Sequence, residues 1–338
     1  MTDSPRELRI LAGAGVALAL VVVVLGAYTR LVDAGLGCPD WPGCYGFLGV
    51  PESPEEIVLA EERFPDAPVE PDKAWPEMVH RYFASGLGLL SLVLLALAWR
   101  RKAALTIPLT LAVLVIVQGA FGAWTVTLKL WPQVVTAHLL GGFGTLALLW
   151  LYTLRLGMAG AVTVPAALAR PAALGIALVV LQVTLGGWTS SNYAALACPD
   201  FPTCHGSLVP EMDFARGFNV LQEIGPNYLG GALSSEARVA IQMTHRVGAF
   251  VVLFLVGWLA WRLRGRLGWI VGGVLAVQFG LGIANVLLEL PLAVATAHNA
   301  GGALLLLALV TVYAAARGYV GVTTPSTADP SRSLPTPR

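Results

Sequence analysis

Four histidines occupy positions where imidazole chemistry inside an apolar environment would need them. Thr136-Ala137-His138-Leu139-Leu140-Gly141-Gly142 returns 160 residues later as Thr296-Ala297-His298-Asn299-Ala300-Gly301-Gly302. His80-Arg81 returns as His245-Arg246 at an offset of 165. Each histidine opens a long apolar run. A lone histidine in such a run is usually a buried side chain satisfied by a carbonyl, but a duplicated set of four favours ligation. Two parallel helices carrying histidines at one depth can present imidazoles to opposite faces of one porphyrin, as a bis-histidine haem requires. The simplest pairing is within each repeat: His80 with His138, and His245 with His298. Small residues lie on the same helical faces: Gly141, Gly142, Gly301, Gly302, Gly248, Ala249 and Ala84. They are expected to leave room for the macrocycle. Arg81 and Arg246, each following a histidine at the outer boundary, are candidates for pairing with haem propionates, the alternative being snorkelling to lipid headgroups.

One position breaks the symmetry. Glu77 stands three residues before His80, and Gln242 takes that place before His245. A carboxylate beside a haem ligand is a candidate for proton transfer. Its presence in one half only suggests that this half holds substrate and the other a resident cofactor. The alternative is a carboxylate favoured by the helix N-terminus after Pro76.

The elements that must position these residues are transmembrane helices. Of 338 residues, 56% are hydrophobic and 12% charged, which belongs to a multi-span membrane protein. The net charge of +1 carries no basic stripe, so nucleic acid is not an expected partner. Eight segments have the length of a span: 10–28, 78–99, 105–128, 134–154, 172–188, 239–261, 267–287 and 293–316. Arg6 and Arg9 before the first could mimic a signal peptide, but no convincing cleavage site follows, so it reads as a retained span. Arg100, Arg101 and Lys102, then Arg155 and Arg170, then Arg262, Arg264 and Arg266 mark alternate loops as cytoplasmic. Both termini are then cytoplasmic, and the long loops 29–77 and 189–238 face outward. The expected organisation is an all-α integral membrane protein of two four-helix bundles, residues 1–158 and 159–320, with a disordered cytoplasmic tail over 321–338. Each unit has an even number of spans, so the two enter the membrane in the same sense, about an axis along its normal.

The outward loops hold all four cysteines as two C-x5-C pairs, Cys38/Cys44 and Cys198/Cys204. An oxidising compartment favours a disulfide within each pair; a redox-active dithiol and, more remotely, a zinc site are the alternatives. His205 has only Tyr45 as counterpart and reads as a loop residue. The stretch 54–64 has helical amphipathic spacing, suiting either the membrane surface or a solvated loop.

Together, Gly35-Leu36-Gly37-Cys38-Pro39-Asp40-Trp41-Pro42-Gly43-Cys44, Glu77-Met78-Val79-His80-Arg81, Met243-Thr244-His245-Arg246 and the two Thr-Ala-His copies resemble the haem A synthase family, bacterial CtaA type, which has a mitochondrial counterpart. The resemblance spans about residues 10–316. It implies haem O bound as substrate at His80 and His138, and haem B at His245 and His298. It implies successive hydroxylations of the haem O C8 methyl to the formyl group of haem A, needed by haem-copper oxidases. It maps the family's acidic residue onto Glu77 and its outer-loop cysteine pairs onto Cys38/Cys44 and Cys198/Cys204. It also implies the plasma membrane, delivery of haem O by a membrane farnesyltransferase and a membrane electron acceptor; a homo-oligomer is compatible with the sequence. Two other classes compete: a di-haem b-type electron-transfer cytochrome, which leaves the one-sided Glu77 unexplained, and an outward-facing thiol-disulfide oxidoreductase, which leaves the histidines unexplained. A transporter is weaker, since the spans offer few charged groups.

Overall fold

The structure is a computed structural model that describes residues 6–158 and 162–320. Ten α-helices follow in order: α1 (Arg6–Leu31), α2 (Pro54–Arg63), α3 (Pro71–Arg100), α4 (Thr106–Thr127), α5 (Pro132–Arg155), α6 (Ala169–Ser191), α7 (Phe214–Gly217), α8 (Ser235–Leu263), α9 (Gly265–Leu287) and α10 (Leu292–Ala316). All but α2 and α7 are long and apolar enough to cross a membrane, so the chain is a multi-pass membrane protein. The tail expected to be disordered lies outside the described residues.

The helices close into two rings. α1 packs on α3, α3 on α4, α4 on α5 and α5 on α1; α6, α8, α9 and α10 repeat the pattern. In each ring the two histidine-bearing helices, α3 and α5 or α8 and α10, are diagonal partners. They face each other across the interior with the other two helices as walls. The rings join along α1, α5, α6 and α10. There Trp150 Nε1 donates to Thr311 Oγ1 at 2.8 Å, and the Thr136 and Ser191 hydroxyls meet at 3.4 Å. At the end that carries the cysteine loops, Arg30 donates to the Ser190 carbonyl at 2.6 Å and Tyr193 to Asp33 at 2.8 Å. Each of these last two bonds joins a residue to its own repeat equivalent, 160 positions on. Only residues beside the pseudo-two-fold axis can do that.

Helix ends explain the local geometry. Ser53 and Glu56 form a reciprocal capping box that starts α2. Pro71 and Pro132 occupy first-turn positions of α3 and α5, where a missing N–H costs no hydrogen bond. The turns before α5 and α10 use paired left-handed residues, Lys129-Leu130 and Glu289-Leu290, so the repeat extends to the backbone. α3 and α8 begin several residues before their apolar windows, extending toward the cysteine loops. The four histidines therefore lie between about two and three turns inside their helices, not in the first turn.

Cys38 is bonded to Cys44, and Cys198 to Cys204. The first cysteine loop buries Cys38, Cys44, Tyr45 and Val50 against Ala60 of α2 and Ala74 and Met78 of α3. α2 thus covers this loop with one face while Val58 on the other is 58% exposed. Tyr45 donates to the Pro68 carbonyl at 2.8 Å, and burial pushes its phenol up to about 12. In the second loop the Asp200 carboxylate accepts from the Thr203 hydroxyl and from the main-chain N–H groups of His205 and Gly206. Those bonds, Thr203 first, hold its pKa down to about 2. A depressed carboxylate stabilises the fold above its unfolded value and loses that contribution as pH falls through the folded one. The turn at residues 200–206 should therefore stay ordered to near pH 4 and loosen between about pH 4 and 2, which amide exchange at His205 and Gly206 would register.

The longer second loop also reaches over the first bundle. Trp131 donates to the Gln222 carbonyl at 3.2 Å, Gln133 to the Val220 carbonyl at 3.0 Å, and the Tyr228 N–H to the Lys129 carbonyl at 3.0 Å.

Candidate haem sites

In the first bundle the His80 and His138 rings stand 6.4 Å apart, centroid to centroid. Two imidazoles coordinating one metal from opposite sides through bonds of about 2 Å place their centroids roughly 6 Å apart. The pair is therefore spaced for a shared iron. Among the described residues no three His, Cys, Asp or Glu side chains converge to hold a metal ion, so His80 and His138 stand as a pair. Two axial ligands are what a porphyrin iron, already held by four ring nitrogens, still accepts. The Nδ1 atoms of His80, His138 and His298 are buried without hydrogen-bond partners, while all four rings stay half-buried. Buried imidazole nitrogens without a partner are costly unless something else engages the ring.

Glycines on the wall helices seat the imidazoles. A methyl group at Gly26 of α1 would come 2.9 Å from His80 Cε1, and at Gly282 of α9 3.1 Å from His298 Cε1. At Gly186 of α6 the distance to His245 Cε1 is 3.3 Å, and at Gly122 of α4 the distance to His138 Cε1 is 3.6 Å. These are two repeat pairs, 26/186 and 122/282, each 160 apart. Gly26→Ala should displace His80 and reduce haem in the first bundle severalfold, whereas Gly122→Ala, at ordinary contact distance, should leave it near wild type. Optical titration of the purified variants checks both.

The glycines that follow the histidines do something else. Those three residues after His138, His298 and His245 are covered by amides: Gly141 by Gln118, Gly301 by Gln278 and Gly248 by Gln182. The sequence-based expectation that they make room for the macrocycle does not hold for these three. The space that a missing Cβ leaves there is filled by glutamine.

Glu77 is buried at 5% exposure and both its oxygens are engaged. Oε2 accepts from the Cys38 N–H at 2.9 Å, and Oε1 pairs with the Arg81 guanidinium. Arg81 in turn donates to the carbonyls of Asp40, at 3.0 Å, and Gly43. In the second bundle Arg246 donates to the carbonyls of Thr203, at 2.7 Å, and Cys198, at 3.0 Å. Both arginines, expected at propionates, thus staple the cysteine loops to the histidine helices, and Arg246 keeps a buried, unpartnered Nε. Gln242, in the place of Glu77, has a buried Oε1 with no partner. His205 lies in the second loop with Nε2 3.0 Å from the Ala197 carbonyl, apart from the paired imidazoles.

The sequence matches the COX15-CtaA family of cytochrome oxidase assembly proteins over residues 9–310. The chain belongs to this family. Among its relatives is a protein named heme A synthase from Shewanella oneidensis, 46% identical over 302 residues, covering 87% of this chain and 92% of that one. Others of the same name come from Rhizorhabdus wittichii, 30% identical over 87% of this chain and 89% of the relative, and Parvibaculum lavamentivorans, 28% identical over 84% and 87%. The matched range spans both bundles and includes the positions of all four histidines.

Residues that sequence reasoning passed over are Gln182, Gly122 and Gly282. The two glycines carry a signal, since they match at the repeat offset. Gln182 carries none in that comparison, because its equivalent is Val22.

Proposed function

We propose that this chain is a haem A synthase, an oxidoreductase acting on a C–H group. It converts the C8 methyl of haem O to the formyl of haem A by successive hydroxylations and loss of water. The observation that carries the reading is the His80–His138 pair, spaced at 6.4 Å for one iron, in a chain whose relatives bear that name. The first bundle holds haem O between His80 and His138. The second holds haem B between His245 and His298, where it supplies one-electron transfer.

The chain's own residues supply position and charge. Glu77 lies on the face of α3 that carries His80, one turn closer to the outside. Its two oxygens are fixed by Cys38 N–H and Arg81, so its orientation is set before substrate arrives. A carboxylate so held is placed to take a proton from the reacting carbon or its hydroxyl. It also stabilises positive charge developing there. Arg81 and Arg246 would be the residues to hold a propionate, through guanidinium hydrogens that Glu77 and the loop carbonyls do not use. In the plasma membrane both termini are cytoplasmic and the cysteine loops extracytoplasmic. Haem O then arrives from a membrane farnesyltransferase, and electrons leave to an acceptor in the same membrane.

Haem extraction and chromatography of the purified protein tests this. Expressed with a haem O supply, it should yield haem B together with haem O, a hydroxylated intermediate or haem A. Haem B alone under both conditions would instead identify a di-haem electron-transfer cytochrome.

A further inference from the structure

The two bundles differ in the contacts beside their histidines: Gln278 Nε2 lies 3.4 Å from His298 Nε2, and a closer contact is made at His245. Gln182 of α6 places Nε2 3.0 Å from His245 Nδ1 and donates to the His245 main-chain carbonyl at 2.8 Å. Its Oε1 is buried, has no partner and lies against Gly248. The repeat equivalents in the first bundle are Val22 for Gln182, at an offset of 160, and Phe83 for Gly248, at 165. Both members of the touching pair have changed together, from amide on glycine to valine and phenylalanine. His80 Nδ1, in the first bundle, is buried with no hydrogen bond, as are the Nδ1 atoms of His138 and His298.

We propose that Gln182 is a positioning residue that fixes His245 through Nδ1, and that the Val22/Phe83 substitution of this contact makes the first bundle the exchangeable porphyrin site and the second the permanent one. The inference rests on the reading that each bundle holds one porphyrin. A neutral imidazole that coordinates through Nε2 carries its proton on Nδ1. Rotation of the Gln182 amide presents Oε1 to that proton in exchange for the bond to the His245 carbonyl, and glycine at 248 leaves the amide space beside the helix. A hydrogen bond at the outer nitrogen locks ring orientation and makes the ligand a stronger donor. Removing such a partner typically costs about 10- to 100-fold in metal affinity. A substrate site that must release its product is better without the lock; a resident cofactor is better with it.

The test uses full-length protein loaded with haem B. In a His138→Ala background, where the second bundle holds the remaining histidine pair, Gln182→Val should speed haem transfer to excess apomyoglobin by about 10- to 100-fold. It should also raise the midpoint potential. Gln182→Glu should restore retention and move the potential below that of the parent, a response that general loosening of the bundle would not give. In a His298→Ala background, Val22→Gln combined with Phe83→Gly should slow haem loss from the first bundle. Unchanged transfer rate and potential in Gln182→Val, or failure of Gln182→Glu to restore retention, overturns the proposal. None of these measurements needs turnover. A parent protein that binds no haem would overturn the proposed function instead, and normal haem binding with equal retention in all variants would overturn only the role of Gln182.

Discussion

Glu77→Ala should bind haem in both bundles and fail to convert haem O. On the proposed reading the imidazoles hold the iron, and the carboxylate, on His80's own helical face, is not a ligand. Losing it removes proton transfer, an effect of about 100- to 10,000-fold on rate, without removing a ligand. The variant should therefore accumulate unconverted haem O or a hydroxylated species, visible by chromatography of extracted haem. Two variants separate chemistry from architecture. Glu77→Gln keeps an oxygen for the Cys38 N–H but loses the charge opposite Arg81. Arg81→Leu keeps the carboxylate and strands it, with both side chains only 11% and 7% exposed in the parent. Breaking a buried pair by removing one partner costs about 3–5 kcal/mol, so Arg81→Leu should lower thermal stability more than Glu77→Gln does. If Glu77→Gln lost stability to the same degree yet kept its haem A yield, Glu77 would be a loop anchor and nothing more.

The eight spans are legible because apolar runs of about 20 residues have few other uses. The histidine pairing is legible because the repeat copies it. What the sequence hides is where polar groups go when the chain closes on itself. Arg81 and Arg246 look available for an external anion, although Arg81 has one acceptor close by in sequence, Glu77 one turn before it. The other acceptors are carbonyls of Asp40, Gly43, Cys198 and Thr203, some 40 residues earlier, brought there by the disulfide-closed loops. Likewise Gly141, Gly248 and Gly301 announce that something approaches closely, but not what. Each is met by a glutamine from a neighbouring helix, and helix adjacency in a ring of four is not written in hydrophobic periodicity. Glu77 is the opposite case. Its difference from Gln242 is plain in the sequence, and the structure adds that the acid is buried and held at both oxygens.

Removing one ligand from each bundle should give two different failures. His138→Ala opens the substrate pair, so the protein should keep haem B in the second bundle, with a bis-histidine spectrum, and take up no haem O. His298→Ala should do the reverse: the first bundle still loads haem O, yet haem A yield falls by at least about 100-fold, since losing a direct ligand exceeds the range seen for its hydrogen-bonding partners. The asymmetry follows from the packing between the rings. A methyl group at Gly187 of α6 would come 3.0 Å from Leu139 and 3.2 Å from Thr136, so α5 and α6 meet closely right beside His138. α10 is covered by α1, α5, α6 and α9 together. The two proposed porphyrin sites would thus be held at a fixed separation by a close-packed wall, so that neither takes over the other's task by moving. Retention of the same haem by both variants, or loss of both haems from either one, would mean that the bundles do not divide substrate from cofactor.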